Sequence, residues 1–105
     1  MKLQLMPEKN LTGNKLFYSI LDCIGFWNTN GKKIQEDNIA GKYGSPRSQQ
    51  EARECTLEMW LLNSILYDVE SLIADREGKY KCGKGGSHVW ISDNNNERLA
   101  LITIN

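Results

Sequence analysis

No glycine or proline interrupts the chain between Pro46 and Gly78. Through that stretch runs an apolar series at alternating three- and four-residue spacing: Ala52, Cys55, Met59, Leu62, Leu66, Val69 and Ile73. Side chains so spaced share one face of a helix. Ser45 offers a capping oxygen, and Pro46 suits the first helical position, where its missing N–H costs nothing. Gly78 stands where a left-handed cap would close the other end. The spacing predicts one long helix over residues 46–77. Leu61, Ile65 and Leu72 widen its core-facing stripe.

The rest of the chain supplies partners for that stripe. Lys2–Met6 alternates polar and apolar residues and reads as a short strand stopped by Pro7. Asn10 or Thr12 can cap a helix over about residues 13–24, with Leu16, Phe17, Ile20, Leu21 and Ile24 on one face and Gly25 as its stop. Asn30-Gly31 is a hairpin signal, or the tip of an exposed loop carrying Phe26 and Trp27. Gln35–Gly44 has few apolar residues and reads as a mobile loop. Beyond residue 78, Lys79–Cys82, Ser87–Ser92 and Arg98–Ile104 read as strands, the first two separated by Gly83, Gly85 and Gly86. The last is apolar on both faces, as a central strand should be. The expected fold is α+β: two helices, about 13–24 and 46–77, on one face of a small antiparallel sheet ending in a C-terminal β-hairpin. The expected core is Leu16, Ile20, Met59, Leu62, Leu66, Val69, Ile73, Val89, Ile91, Leu101 and Ile104.

The chain has 105 residues, enough for a single domain over 1–105 with a core of its own. Thirteen basic residues balance thirteen acidic ones. Phosphate neutralisation supplies much of the affinity for nucleic acid, so a chain without basic excess is not expected to bind it in bulk. Cys23, Cys55 and Cys82 are odd in number and none forms a C-x-x-C pair. They read as small core residues in a reducing compartment, not as a disulfide framework or a metal site. With no apolar signal segment or membrane-spanning run, the expected location is the cytoplasm. No cofactor is expected.

Three sets of residues are candidates for function. The first is aromatic. Trp60, Tyr67 and Ala74 recur seven apart, well round from the core stripe, so the helix is apolar on nearly every side near residues 59–62. That pattern suits a second covering surface, either the N-terminal segment or another protein. Trp60, Tyr67, Trp27 and Tyr43 are then partner-facing anchors. Glu54 and Glu58 contribute an acidic face suited to a basic nuclease or toxin. A second copy of the chain could occupy the same surface. The second set is Lys42, Ser45 and Arg47, which could hold an anionic ligand where a glycine-bearing loop feeds a helix start. Gly83-Lys84-Gly85-Gly86-Ser87 lacks the spacing of a phosphate loop and reads as a turn. The third is His88 with Ser87, in a position to act as acid or base near neutral pH.

Gly86-Ser87-His88, followed by Trp90, a polar turn at Asp93–Asn96 and the apolar strand Leu101–Ile104, resembles the Gly-Ser-His strand of HicA-type mRNA-cleaving toxins. The resemblance covers about a fifth of the chain. It implies RNA as substrate, a dsRBD-like fold and His88 as the catalytic residue. The chain departs from that family in its neutral charge and its large N-terminal extension. The leading expectation is therefore a small protein-binding module that acts by occlusion, such as an inhibitor or immunity protein of a toxin, an antitoxin, or a phage counter-defence protein.

Overall fold

Three helices and four strands follow one another in the order β1 (Leu3–Pro7), α1 (Lys15–Ile39), α2 (Pro46–Glu54), α3 (Leu57–Ala74), β2 (Tyr80–Gly85), β3 (His88–Asp93) and β4 (Arg98–Ile104). This computed structural model describes all residues, Met1–Asn105. The strands form one antiparallel sheet in the order β1-β4-β3-β2. β4 is thus an interior strand, as its apolar residues on both faces predict, and β1 is an edge.

One sheet face carries the core. Val89 and Ile91 on β3 pair with Ile102 and Ala100 on β4, and all four are fully buried. They meet Leu16, Phe17, Ile20 and Ile24 from α1, and Leu61, Leu62, Ile65 and Val69 from α3. The opposite face has no helix over it. It presents Met6, Leu101 and Trp90 in one cross-strand row that ends at Gly83. A Cβ on Gly83 would come within 2.6 Å of the Trp90 ring, so this glycine gives the indole room to lie across β2. Gly86, at φ +58°, opens the two-residue turn between β2 and β3.

Three expectations fail here, each for a physical reason. The first helix does not stop at Gly25. It begins at the Asn14 cap, whose side chain accepts the Leu16 N–H, and runs to Ile39. Asn30-Gly31 is no hairpin: Gly31 is helical and buried, because a Cβ there would sit 2.4 Å from Leu61 Cδ2. It is a helix-crossing residue. Residues 35–39 belong to the same helix, so the loop is only Ala40–Ser45.

The helix over 46–77 is broken. Cys55 (φ −99°, ψ 135°) and Thr56 (φ −64°, ψ 162°) are extended, and Thr56 Oγ1 accepts the Met59 N–H. Thr56 therefore caps a new helix, a role that competes with its continuing the old one. The break lets Gln35 of α1 donate its amide to the carbonyls of Ala52 and Cys55, at 3.3 and 2.8 Å. α3 stops at Ala74, short of Gly78, which is left-handed at φ +77°.

The core is correspondingly displaced. Leu16, Ile20, Leu62, Val69, Val89 and Ile91 are buried as expected. Met59 is exposed, and Leu66, Ile73, Leu101 and Ile104 are half-buried. Leu61, Ile65, Ala100 and Ile102 take the interior places instead.

Candidate partner-binding cleft

Breaking the helix folds α2 back against α1, with Ala52 fully buried between them. α3 then packs against α1 farther along. Between the three helices lies an open cleft of about 520 Å³. Trp27 and Ile34 reach it from α1, Glu51 from α2, and Trp60, Asn63 and Tyr67 from α3. Residues 60, 63 and 67 lie on one side of α3 by helical spacing, while Leu62, Ile65 and Val69 on the other side enter the core. The helix is apolar all round because it serves two surfaces.

The rings differ in their settings. Trp27 Nε1 donates to Asp68 Oδ2 at 2.6 Å, a short charge-assisted bond. Phe26 meets the same indole edge-on, with centroids 5.2 Å apart and planes at 88°. Trp60 is half-buried, and its Nε1 is shielded from water yet has no hydrogen-bond partner. Tyr67 is 70% exposed at the rim. Ser64 Oγ donates to the Trp60 carbonyl at 2.7 Å. Lys84 of β2 holds the Asn63 side-chain oxygen at 3.1 Å. Glu51 is the only charged side chain lining the cleft, and it pairs with exposed Arg47 at 3.0 Å.

The cleft thus brings together Trp27, Trp60 and Tyr67 of the predicted anchors. It does not gather the others. Glu54 is exposed on α2 and bonded by Gln50 at 3.0 Å. Glu58 lies about 200° round α3 from Trp60. Tyr43 is exposed beyond α1, and its hydroxyl donates to Asp37 at 3.0 Å. That bond, with Lys33 at 3.2 Å and Lys42 at 3.4 Å, holds the Asp37 carboxyl below the usual aspartate range. Ile34, Asn38 and Ser48 were not singled out from sequence. The seven-residue step from Trp27 to Ile34 was the available signal for the first.

The other candidate sets are placed as follows. Lys42 pairs with Asp37, Arg47 with Glu51, and Ser45 caps α2 by accepting the Ser48 N–H at 3.2 Å. All three have partners within the chain. Ser87 is in the β2–β3 turn and His88 opens β3 on the uncovered sheet face, leaning over Gly85. No hydrogen bond or ion pair within the chain engages the His88 side chain. On that same face a shallow groove of about 630 Å³ adjoins Trp90. Two ion pairs cross it, Lys9–Glu97 at 2.6 Å and Arg98–Glu8 at 2.7 Å.

No three His, Cys, Asp or Glu side chains converge as metal ligands. The three cysteines are free and half-buried. Burial raises the Cys23 and Cys82 thiols above their ordinary range, which keeps them protonated and weakly nucleophilic. No helix is long and apolar enough to cross a membrane. No protein-family model matches the chain, no curated protein matches its sequence, and no solved structure matches its fold.

Proposed function

We propose that this chain is a protein-binding module that acts by occlusion, gripping its target at the cleft between α1, α2 and α3. One observation carries the reading: three aromatic side chains from two helices, Trp27, Trp60 and Tyr67, gather in one open cleft whose inner indole N–H is unpaired. Large aromatics dominate binding energy where they are clustered and can be desolvated. Tyr67 already projects from the surface, so engaging it requires little rearrangement. An inhibitor or immunity protein of a toxin or nuclease, an antitoxin, or a phage counter-defence protein would need no more than such a shaped surface.

Affinity purification of the full chain from its host tests the reading. A single stoichiometric partner is expected, and the complex should re-form from the two purified proteins. Trp60→Ala and Tyr67→Ala should each abolish recovery, the second with an unchanged melting temperature. Recovery of no stoichiometric partner, or equal recovery by Tyr67→Ala, would overturn it. Light scattering of the purified chain separates a foreign partner from a second copy.

A further inference from the structure

We infer that β2 is an open docking edge, and that its occupant is an extended acidic segment of another protein, added beside β2 as a further strand of the sheet. The site shares no residue with the helical cleft and goes beyond the reading above. Three observations lead to it.

The first is that the two edges of the sheet are finished differently. The outer backbone groups of an edge strand stay open to pairing unless something covers them. On β1, Leu3 directs its N–H and its carbonyl away from β4, and the side chain of Asn28 on α1 meets both, at 2.8 and 3.0 Å. At the other end Pro7 has no N–H to offer. β2 has no such cover. Its two-residue turn makes Gly85 and His88 a hydrogen-bonded pair, so bonding to β3 runs through Gly85, Gly83 and Lys81. The N–H and C=O groups of Tyr80, Cys82 and Lys84 therefore point out of the sheet. No side chain plays the part of Asn28 there, and no turn or loop bonds them.

The second is charge. Lys79, Lys81 and Lys84 lie on or beside this strand, and no acidic residue occurs from Lys79 to Ser92. None of the three lysines takes part in an ion pair. Lys81 Nζ rests on the Asn96 side-chain oxygen at 3.2 Å and Lys84 Nζ on that of Asn63 at 3.1 Å, both neutral partners. Glu70 of α3 acts on the Cys82 thiol, yet no lysine pairs with it.

The third is that edge and charge together select one occupant. A nucleic acid would answer the lysines but has no alternating N–H and C=O groups for the backbone. A second copy would supply the backbone, but β2 laid against β2 sets lysines against lysines, and like charges across strands repel. The lysines thus exclude the chain's own kind and favour an acidic strand. Lys81 and Lys84 stand on opposite faces of β2, three residues apart, so the matching strand carries carboxylates three residues apart.

The test uses amide spectra of the ¹⁵N-labelled full chain. It is titrated with acetyl-Val-Glu-Val-Thr-Glu-Val-amide and with a twin in which lysine replaces both glutamates. With the acidic peptide, the amide protons of Tyr80, Cys82 and Lys84 should move downfield and exchange more slowly with water. Those of Gly83 and Gly85, already bonded to β3, should change less. The lysine twin should not bind, nor should the acidic peptide N-methylated throughout, which keeps its charge and loses its donors. Lys81→Gln, at an exposed position, should weaken the acidic peptide roughly one-and-a-half- to fivefold, the range of one cross-strand charge pair. Silence at the three alternate amides, or equal responses to both peptides, overturns the inference. An equal response to the N-methylated peptide or to oligothymidylate would make the edge a polyanion site and also overturns it. A response of the same amides to dilution of the free protein would assign the edge to a second copy, with the same result. Tyr67→Ala should leave the titration unchanged, so failure here is distinct from failure of the cleft.

Discussion

Trp27 and Trp60 line the same cleft from facing helices and are held in opposite ways. Trp27 is fixed by a 2.6 Å bond to Asp68 and by the edge of Phe26. Trp60 has no such tie, and its buried N–H meets no acceptor within the chain. Both rings bury apolar surface, so the hydrophobic term does not separate them. The polar atom does. A satisfied indole locks two helices together, whereas an unsatisfied one carries a penalty that binding can relieve. The same contrast extends to Tyr43, another aromatic expected to face a partner. Its hydroxyl is spent on Asp37, so it braces the end of α1.

The strongest way to break the comparison is to remove the satisfied donor. Trp27→Phe deletes a bond to a carboxylate and leaves Asp68 part-buried without it. Bonds to charged groups contribute about 1.5–3 kcal/mol, so chemical denaturation should show a loss of about that size. If the loss is negligible, the α1–α3 contact does not depend on this bond. Gly31→Ala comes next. Its Cβ would push Leu61 out of a fully packed crossing, and overpacking costs typically about 1–3 kcal/mol. Because Leu61 neighbours Trp60 on α3, this variant should also shift the Trp60 indole signal more than that of Trp90.

A smaller, pH-dependent effect should appear at Tyr43. Hydrogen bonding from Tyr43, followed by Lys33 and Lys42, depresses the Asp37 carboxyl in the folded chain. A depressed carboxylate stabilises the fold above its unfolded value, near pH 3.9, and the contribution is lost as pH falls through the folded value. Amide protection over residues 37–45, relative to the intrinsic exchange rate at each pH, should therefore fall below about pH 4. Asp37→Asn should flatten that dependence. Trp27 and Trp60 have no part in it, so exchange around residues 60–67 should not follow the same curve.

What could be read from sequence divides along the same lines. Strands β3 and β4 were legible because alternation is local: Val89 and Ile91 pair inward as their period requires. The end of β2 was not, because Gly83, Lys84 and Gly85, expected in a turn, pair with Trp90, Val89 and His88, and only Gly86 and Ser87 turn the chain. The extent of α1 was not legible, because its later contact positions hold Gly31, Gln35 and Asp37. Glycine and polar residues do not register as an apolar stripe, yet Gly31 is there for close approach and Gln35 for two carbonyls of α2. The break at Cys55–Thr56 was hidden for the converse reason. The apolar spacing runs through it almost in phase, and only the capping oxygen of Thr56 marks the change. Trp27, Trp60 and Tyr67 stood out as surplus aromatics. Their convergence did not, since an unbroken rod would have carried Ser48 and Glu51 away from Trp27.

The smallest expected effect on stability is the one that separates structure from function most sharply. Trp60→Phe keeps most of the ring and removes the orphaned donor. Where a buried polar atom has no partner, its apolar replacement is near neutral or stabilising. The melting temperature should therefore stay level or rise slightly, opposite in sign to Trp27→Phe. Binding should move the other way. If the target supplies an acceptor for this N–H, the variant loses one hydrogen bond to a neutral group, about 0.5–1.5 kcal/mol or roughly two- to tenfold in affinity. A loss of stability as large as that of Trp27→Phe, beyond what the smaller ring removes in packing, would mean that both indoles are structural. A variant of unchanged stability and unchanged affinity would leave Trp60 as a packing ring and move the recognition to Tyr67.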